Sequence, residues 1–239
     1  MGKTTVKDFG WFTFTRTVAW NILHNTAAAL GFGVASYRKP TRLGTLHTIR
    51  KLRKRRDMSI TPLEAVQLFS LVCGTAKLGG SMAEVGVYQG GSARLIREAD
   101  TSRPLHLFDT FEGIPEPTAS DTKVRRGPFR KGQYSSCLEV AKNSLADCDR
   151  VYFHPGVFPA TGEAVKPEKF SFVHSDVDLY SSTRSVFEFF YPRMLPGGII
   201  ICHDYALSPG VSEAIQEFFK DRPEPVIVLP GDQAMVVKL

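Results

Sequence analysis

Residues 82–96 set the pattern from which the rest of the chain is read: a short apolar run, three glycines (Gly86, Gly90, Gly91), then apolar residues at helical spacing. That order predicts strand, tight turn and helix. Apolar runs predict further strands at 105–109, 150–153, 170–176, 198–202, 226–229 and 234–237, and helical periodicity marks 135–145, 181–191 and 208–220 between them. Thr61, Pro62 and Glu64 form a capping box with proline at the first helical position, opening a helix that runs to about residue 78, where Gly79 and Gly80 stop it. Only Pro230, Gly231, Asp232 and Gln233 separate the last two strands, too few for a crossover, so these strands are expected to be antiparallel neighbours. The fold class is therefore α/β: a doubly wound, mostly parallel seven-stranded sheet ending in an antiparallel hairpin. Residues 61–239 would form this domain and residues 1–60 an N-terminal helical arm.

Charge sharpens the division. Residues 1–60 hold 12 Lys and Arg against 2 Asp and Glu, a local +10, which leaves 18 against 22 and −4 for the body. The arm also carries Phe9, Trp11, Phe12, Phe14, Val18, Trp20, Ile22 and Leu23, more apolar surface than so short a piece can bury alone, so it is expected to act as a lid or an oligomer contact. Its basic run from Arg50 to Arg56 also suits an anionic membrane surface, whereas nucleic acid is not an expected partner, because no base-stacking module accompanies the charges. Cys73, Cys137, Cys148 and Cys202 form no C-x-x-C pair and no signal-peptide pattern is present, so free thiols in the cytoplasm are expected. The most apolar window, 18–34, is interrupted by Asn21, His24 and Asn25 and is too short for a membrane span. Residues 110–134, rich in proline and charge, read as a lid or binding loop, or else as a disordered segment.

Candidate chemistry gathers at strand ends. Gly86, Gly90 and Gly91 let backbone approach a ligand, and Glu84 beside them suits a cationic ligand better than a pyrophosphate. Asp109 ends the second strand where a carboxylate takes a ribose hydroxyl in doubly wound folds. His174, Asp176, Asp178, His203 and Asp204 all follow strand ends and would face one crevice. Carboxylates so close repel unless a cation or a shared proton intervenes. The alternative is that Asp178 and Asp204 merely cap the helices after them. His106 and His174 read first as structural histidines, and Tyr88 either closes over a ligand or packs on its helix.

Together, the segments 83–93, 107–113, 154–159, 176–180 and 203–205 resemble the macrocin O-methyltransferase (TylF-type) family. The resemblance implies a class I, Rossmann-like S-adenosylmethionine-dependent O-methyltransferase, in keeping with the antiparallel end of the sheet, and covers residue 61 onward. It implies that Glu84, Gly86, Gly91 and Ser92 line the methionine end of the cofactor, with Tyr88 a further cofactor contact. Asp109, Thr110 and Phe111 would hold the ribose, and His154, Gly156 and Val157 would lie near the adenine, with Ser135 and Asp176 also among the cofactor contacts. Asp178 and Asp204 match the family's metal-binding carboxylates, Asp178 matches its base, and His203 stands where members carry a second adjacent aspartate. His203 is then a metal ligand or proton acceptor, and the divalent ion is magnesium or, because of the imidazole, a transition metal. The acceptor would be a hydroxyl of a sugar or other small natural product. Two other readings remain open: a nucleotide-sugar glycosyltransferase using Asp176-x-Asp178 as a metal-binding D-x-D, and an inactive, membrane-peripheral binding protein.

Overall fold

The computed structural model describes residues 40–55, 59–121 and 128–239, with scattered positions between 18 and 29; at 40–43 and 53–55 only the backbone is described. The helices and strands run α1 (Pro40–Arg55), α2 (Pro62–Thr75), β1 (Ser81–Val85), α3 (Gly91–Ala99), β2 (Leu105–Asp109), α4 (Leu138–Ser144) and β3 (Val151–Pro155). They continue with β4 (Phe170–Ser175), α5 (Tyr180–Phe190), β5 (Met194–Cys202), α6 (Pro209–Phe219), β6 (Ile227–Val228) and β7 (Ala234–Val237). Packing divides the chain into Met1–Leu43 and Gly44–Leu239. In the first unit Val18, Ile22 and Leu23 are exposed, and the aromatic positions of the arm lie outside the described residues. In the second unit Leu46, Ile49 and Leu52 are buried, the last two within the main core.

The sheet order is β3-β2-β1-β4-β5-β7-β6. β1 through β5 pair in parallel, and β7 runs antiparallel to both β5 and β6, with only residues 229–233 between β6 and β7. Every residue of β1 and β4 is buried, as expected of central parallel strands covered on both faces. Alternation then sorts their side chains. Met82, Leu107, Phe172, Ile199 and Ile201 join Leu68, Val72, Leu95 and Ile96 on the α2 and α3 face. Ala83, Val85, Phe108, Val173 and Ile200 join Val186, Phe187, Phe190 and Phe218 on the α5 and α6 face. Within α5 the buried residues Thr183, Val186, Phe187 and Phe190 follow helical spacing and make one stripe toward the sheet.

The capping box forms at α2: Glu64 N–H donates to Thr61 Oγ1 at 3.3 Å, and Thr61 N–H donates to Glu64 Oε2 at 2.7 Å. Glu64 does more than cap. Its Oε1 accepts the Asp232 N–H at 3.0 Å, and Gln67 Nε2 donates to Pro230 O at 2.9 Å, so the start of α2 is tied to the loop between β6 and β7.

The helix-capping role considered for Asp178 and Asp204 is taken by neither. The N-cap positions of α5 and α6 are Leu179 and Ser208, and neither side chain caps its helix. The buried Asp121, from the long loop, accepts the Tyr180 N–H at 2.7 Å instead.

Candidate active site

A cavity of 220 Å³ opens at the carboxyl ends of the parallel strands, at the point where the chain order reverses between β1 and β4. The sheet's hydrogen bonding continues past the strand ends and builds its floor. Gly86 N–H donates to Phe108 O, Asp176 N–H to Val85 O and His203 N–H to Ser175 O, each at 2.9 Å, so the glycine turn, Asp176 and His203 stand side by side. Tyr88, Phe111, Asp178 and Asp204, each in the loop after a different strand, have φ of 51°, 58°, 62° and 59°. Left-handed backbone at non-glycine residues is costly and collects at functional sites.

Gly86 has φ 88°, and a Cβ there would lie 1.8 Å from the Asp176 carbonyl oxygen. Its lack of a side chain therefore serves the contact between two loop backbones. Gly90, at φ 83°, precedes α3, which has no side-chain cap, and Gly91 and Ser92 line the cavity. The first-turn N–H groups are left there for a ligand. Asp109 fixes the turn: its Oδ2 accepts the N–H groups of Val87 and Tyr88 at 2.7 and 2.8 Å, and its Oδ1 accepts that of Phe111 at 2.7 Å. A carboxylate offers about four acceptor positions, so one remains for a ligand hydroxyl.

The second half of the site is a cluster around His203. Its Nδ1 lies 3.0 Å from Asp204 Oδ2 and 3.3 Å from Asp176 Oδ1, and its Nε2 lies 3.6 Å from Glu64 Oε2. Burial opposes charge on His203, but the surrounding carboxylates outweigh it and push the imidazole pKa well up. Burial likewise opposes ionisation of Glu64, yet the neighbouring His203 and hydrogen bonds from the Asp232 and Thr61 N–H groups bring it down to about 2. Desolvation opposes ionisation of Asp176 as well, but His203 holds it below the usual carboxylate range. Asp178 behaves in the opposite way: burial and the neighbouring charges of Asp204 and Asp176 drive its pKa well above the ordinary value. One nitrogen and two oxygens from Asp176, His203 and Asp204 lie within 4.8 Å of one another, the spacing of a metal-binding group.

The model of the macrocin-O-methyltransferase (TylF) family matches residues 66–229. The chain belongs to this family. It is 34% identical over 142 residues to the 8-demethyl-8-(2,3-dimethoxy-alpha-L-rhamnosyl)-tetracenomycin-C 4'-O-methyltransferase of Streptomyces olivaceus, a match covering 54% of each chain. It is 31% identical over 159 residues to the mycinamicin III 3''-O-methyltransferase of Micromonospora griseorubida, covering 60% of this chain and 61% of that one. The chain thus spans between half and two-thirds of the length of these relatives. The O-methyltransferase NovP shares the fold, with a TM-score of 0.64 at 24% identity over 76% of this chain and 81% of that chain.

In this TylF-family chain the cavity gathers most of the residues expected from sequence: Gly86, Tyr88, Gly91, Ser92, Asp109, Thr110, Gly156, Val157, Asp176, Asp178, His203 and Asp204. Glu84, Phe111, Ser135 and His154 are not on its wall. Glu84 is fully buried against His174, with Oε1 2.7 Å from Nδ1, and burial pushes its pKa up. His154 shares a sheet face with Phe108 and stacks on it at 4.5 Å, with Nε2 turned 3.1 Å from His106 Nδ1. Phe111 is buried in the main core, and Ser135 is exposed. Asp176 joins His203 and Asp204, while Asp178 stands beside Asp204.

Sequence reasoning missed Ser59, Ile60, Ile114, Pro115, Tyr134 and Phe158 on the cavity wall, and Glu64 behind His203. The long loop carried a signal as a binding loop. Glu64 carried none beyond its cap, because only the folded hairpin brings it to His203.

Proposed function

We propose that this chain transfers a methyl group from S-adenosylmethionine to a hydroxyl of a sugar or other small natural product. The observation that carries the reading is that the glycine turn and the carboxylate cluster share one cavity. In this reading the turn from Gly86 to Ser92 and Asp109 hold the cofactor, with its adenosyl part toward Gly156 and Val157. Glu84 lies below the floor, with Oε1 2.7 Å from His174 Nδ1. The acceptor oxygen attacks the methyl carbon in line, the bond to the sulfonium sulfur breaks, and the hydroxyl proton passes to Asp178. The cofactor already carries the activated group, so most of the acceleration comes from positioning. A raised pKa makes Asp178 a stronger proton acceptor than an exposed aspartate.

The donor set of Asp176, His203 and Asp204 fits a divalent cation. Bound there, the ion would supply Lewis-acid polarisation of the acceptor oxygen. Asp178, which the sequence suggested as both ligand and base, is then left with the base role.

Family membership disfavours the glycosyltransferase reading. Calorimetry with S-adenosylhomocysteine and with UDP separates the two. The methyltransferase reading expects heat from the first alone, and binding of UDP without S-adenosylhomocysteine would reverse the choice. The membrane-surface and oligomer roles of the arm rest on residues mostly outside the described ones. Among the described residues no helix is long and apolar enough to cross a membrane.

A further inference from the structure

We propose that His203, backed by Glu64, makes this a site for a transition-metal ion rather than for magnesium. The inference rests on the reading of Asp176, His203 and Asp204 as the metal group and deepens it by naming the class of ion. Two observations carry it. The first is the donor set and its spacing. Two oxygens and one imidazole nitrogen converge, with Nδ1 3.0 and 3.3 Å from the carboxylate oxygens. Two ligands at right angles on one ion with bonds of about 2.1 Å lie about 3 Å apart. Magnesium favours all-oxygen surroundings, whereas imidazole favours the later first-row divalent ions.

The second observation is independent of the first. Glu64 is 2% exposed and sits on the far side of the ring, with Oε2 3.6 Å from Nε2. It is not free to swing, since its oxygens also accept the Thr61 and Asp232 N–H groups at 2.7 and 3.0 Å. A metal-ligating histidine is typically oriented by a carboxylate that accepts its other N–H, which fixes the tautomer and raises the basicity of the coordinating nitrogen. Glu64 is placed for that task, with Nδ1 toward the two aspartates and Nε2 toward itself. We therefore assign Glu64 as a positioning residue.

The test uses the full-length chain titrated with Co2+, followed by visible absorption, and with Mn2+ and Mg2+ by calorimetry. Co2+ is expected to bind at least about tenfold more tightly than Mg2+, with Mn2+ between the two. His203→Asp should remove that preference and change the Co2+ spectrum. Glu64→Gln removes the negative charge behind the ring and keeps one oxygen for the Thr61 N–H at the cost of the Asp232 N–H contact, and should weaken Co2+ binding by about 10–100-fold. Equal affinity for Mg2+, a Co2+ spectrum unaffected by His203→Asp, or S-adenosylhomocysteine binding without uptake of any of these ions would overturn the inference. Co2+ bound through His203 in a chain that does not bind S-adenosylhomocysteine would leave the metal assignment standing and remove the methyltransferase reading.

Discussion

The backbone of Gly86 presses against the Asp176 carbonyl so closely that a Cβ on Gly86 would fall 1.8 Å from that oxygen. This contact joins the glycine turn to the loop that carries Asp176 and Asp178, and so couples the two halves of the cavity. Gly86→Ala would introduce both a left-handed alanine and an overlap with backbone. Its expected cost is about 2–5 kcal/mol. Chemical denaturation should show this loss, accompanied by loss of S-adenosylhomocysteine binding in whatever fraction remains folded. A variant as stable as the parent would mean that the two loops are not held this closely.

Asp178 is predicted to act as the base. Asp178→Asn should lower kcat about 100- to 10,000-fold while cofactor affinity stays within a few fold. Because the Asp178 pKa is raised, the active ionised form is lost as pH falls through that raised value. The rate should therefore climb with pH along a limb above the ordinary carboxylate range. That limb should vanish in Asp178→Asn. A profile already flat at pH 5, or an Asn variant with parental turnover, would exclude the residue from proton transfer.

Much of this architecture was legible in the chain. The alternating and continuous apolar runs located all seven strands, and the short spacer before Ala234 dictated the antiparallel end. Boundaries slipped where local signals conflicted. β5 starts at Met194 rather than 198 because Pro196 and Gly197, which look like breakers, lie in an irregular stretch where Gly197 N–H still bonds Lys238 O at 2.7 Å. The strand-end carboxylates were legible as a group, but not their partition. Asp176 continues the sheet's hydrogen bonding and faces His203, whereas Asp178, at φ 62°, turns off that line. The roles of Asp121 and Glu64 were not legible, since each depends on a partner far away in sequence that only the tertiary fold supplies.

Asp121 makes a separate prediction about the loop. Its Oδ2 accepts the Thr118 N–H at 2.8 Å while its Oδ1 accepts that of Tyr180 at 2.7 Å, so one buried side chain fastens the loop to α5. Asp121→Ala should cost about 1–2 kcal/mol, the range for losing a helix cap. Amide exchange should quicken at both Thr118 and Tyr180. If exchange quickened at Thr118 alone, the tie to α5 would not be the stabilising contact.

The most direct test of the central claim is a crystal structure of the full-length chain soaked with S-adenosylhomocysteine. The account predicts the ligand in the cavity between the glycine turn and Val157, with its sulfur facing Asp178 and Asp204. A ligand bound elsewhere, or one whose sulfur points away from the aspartates, would contradict it.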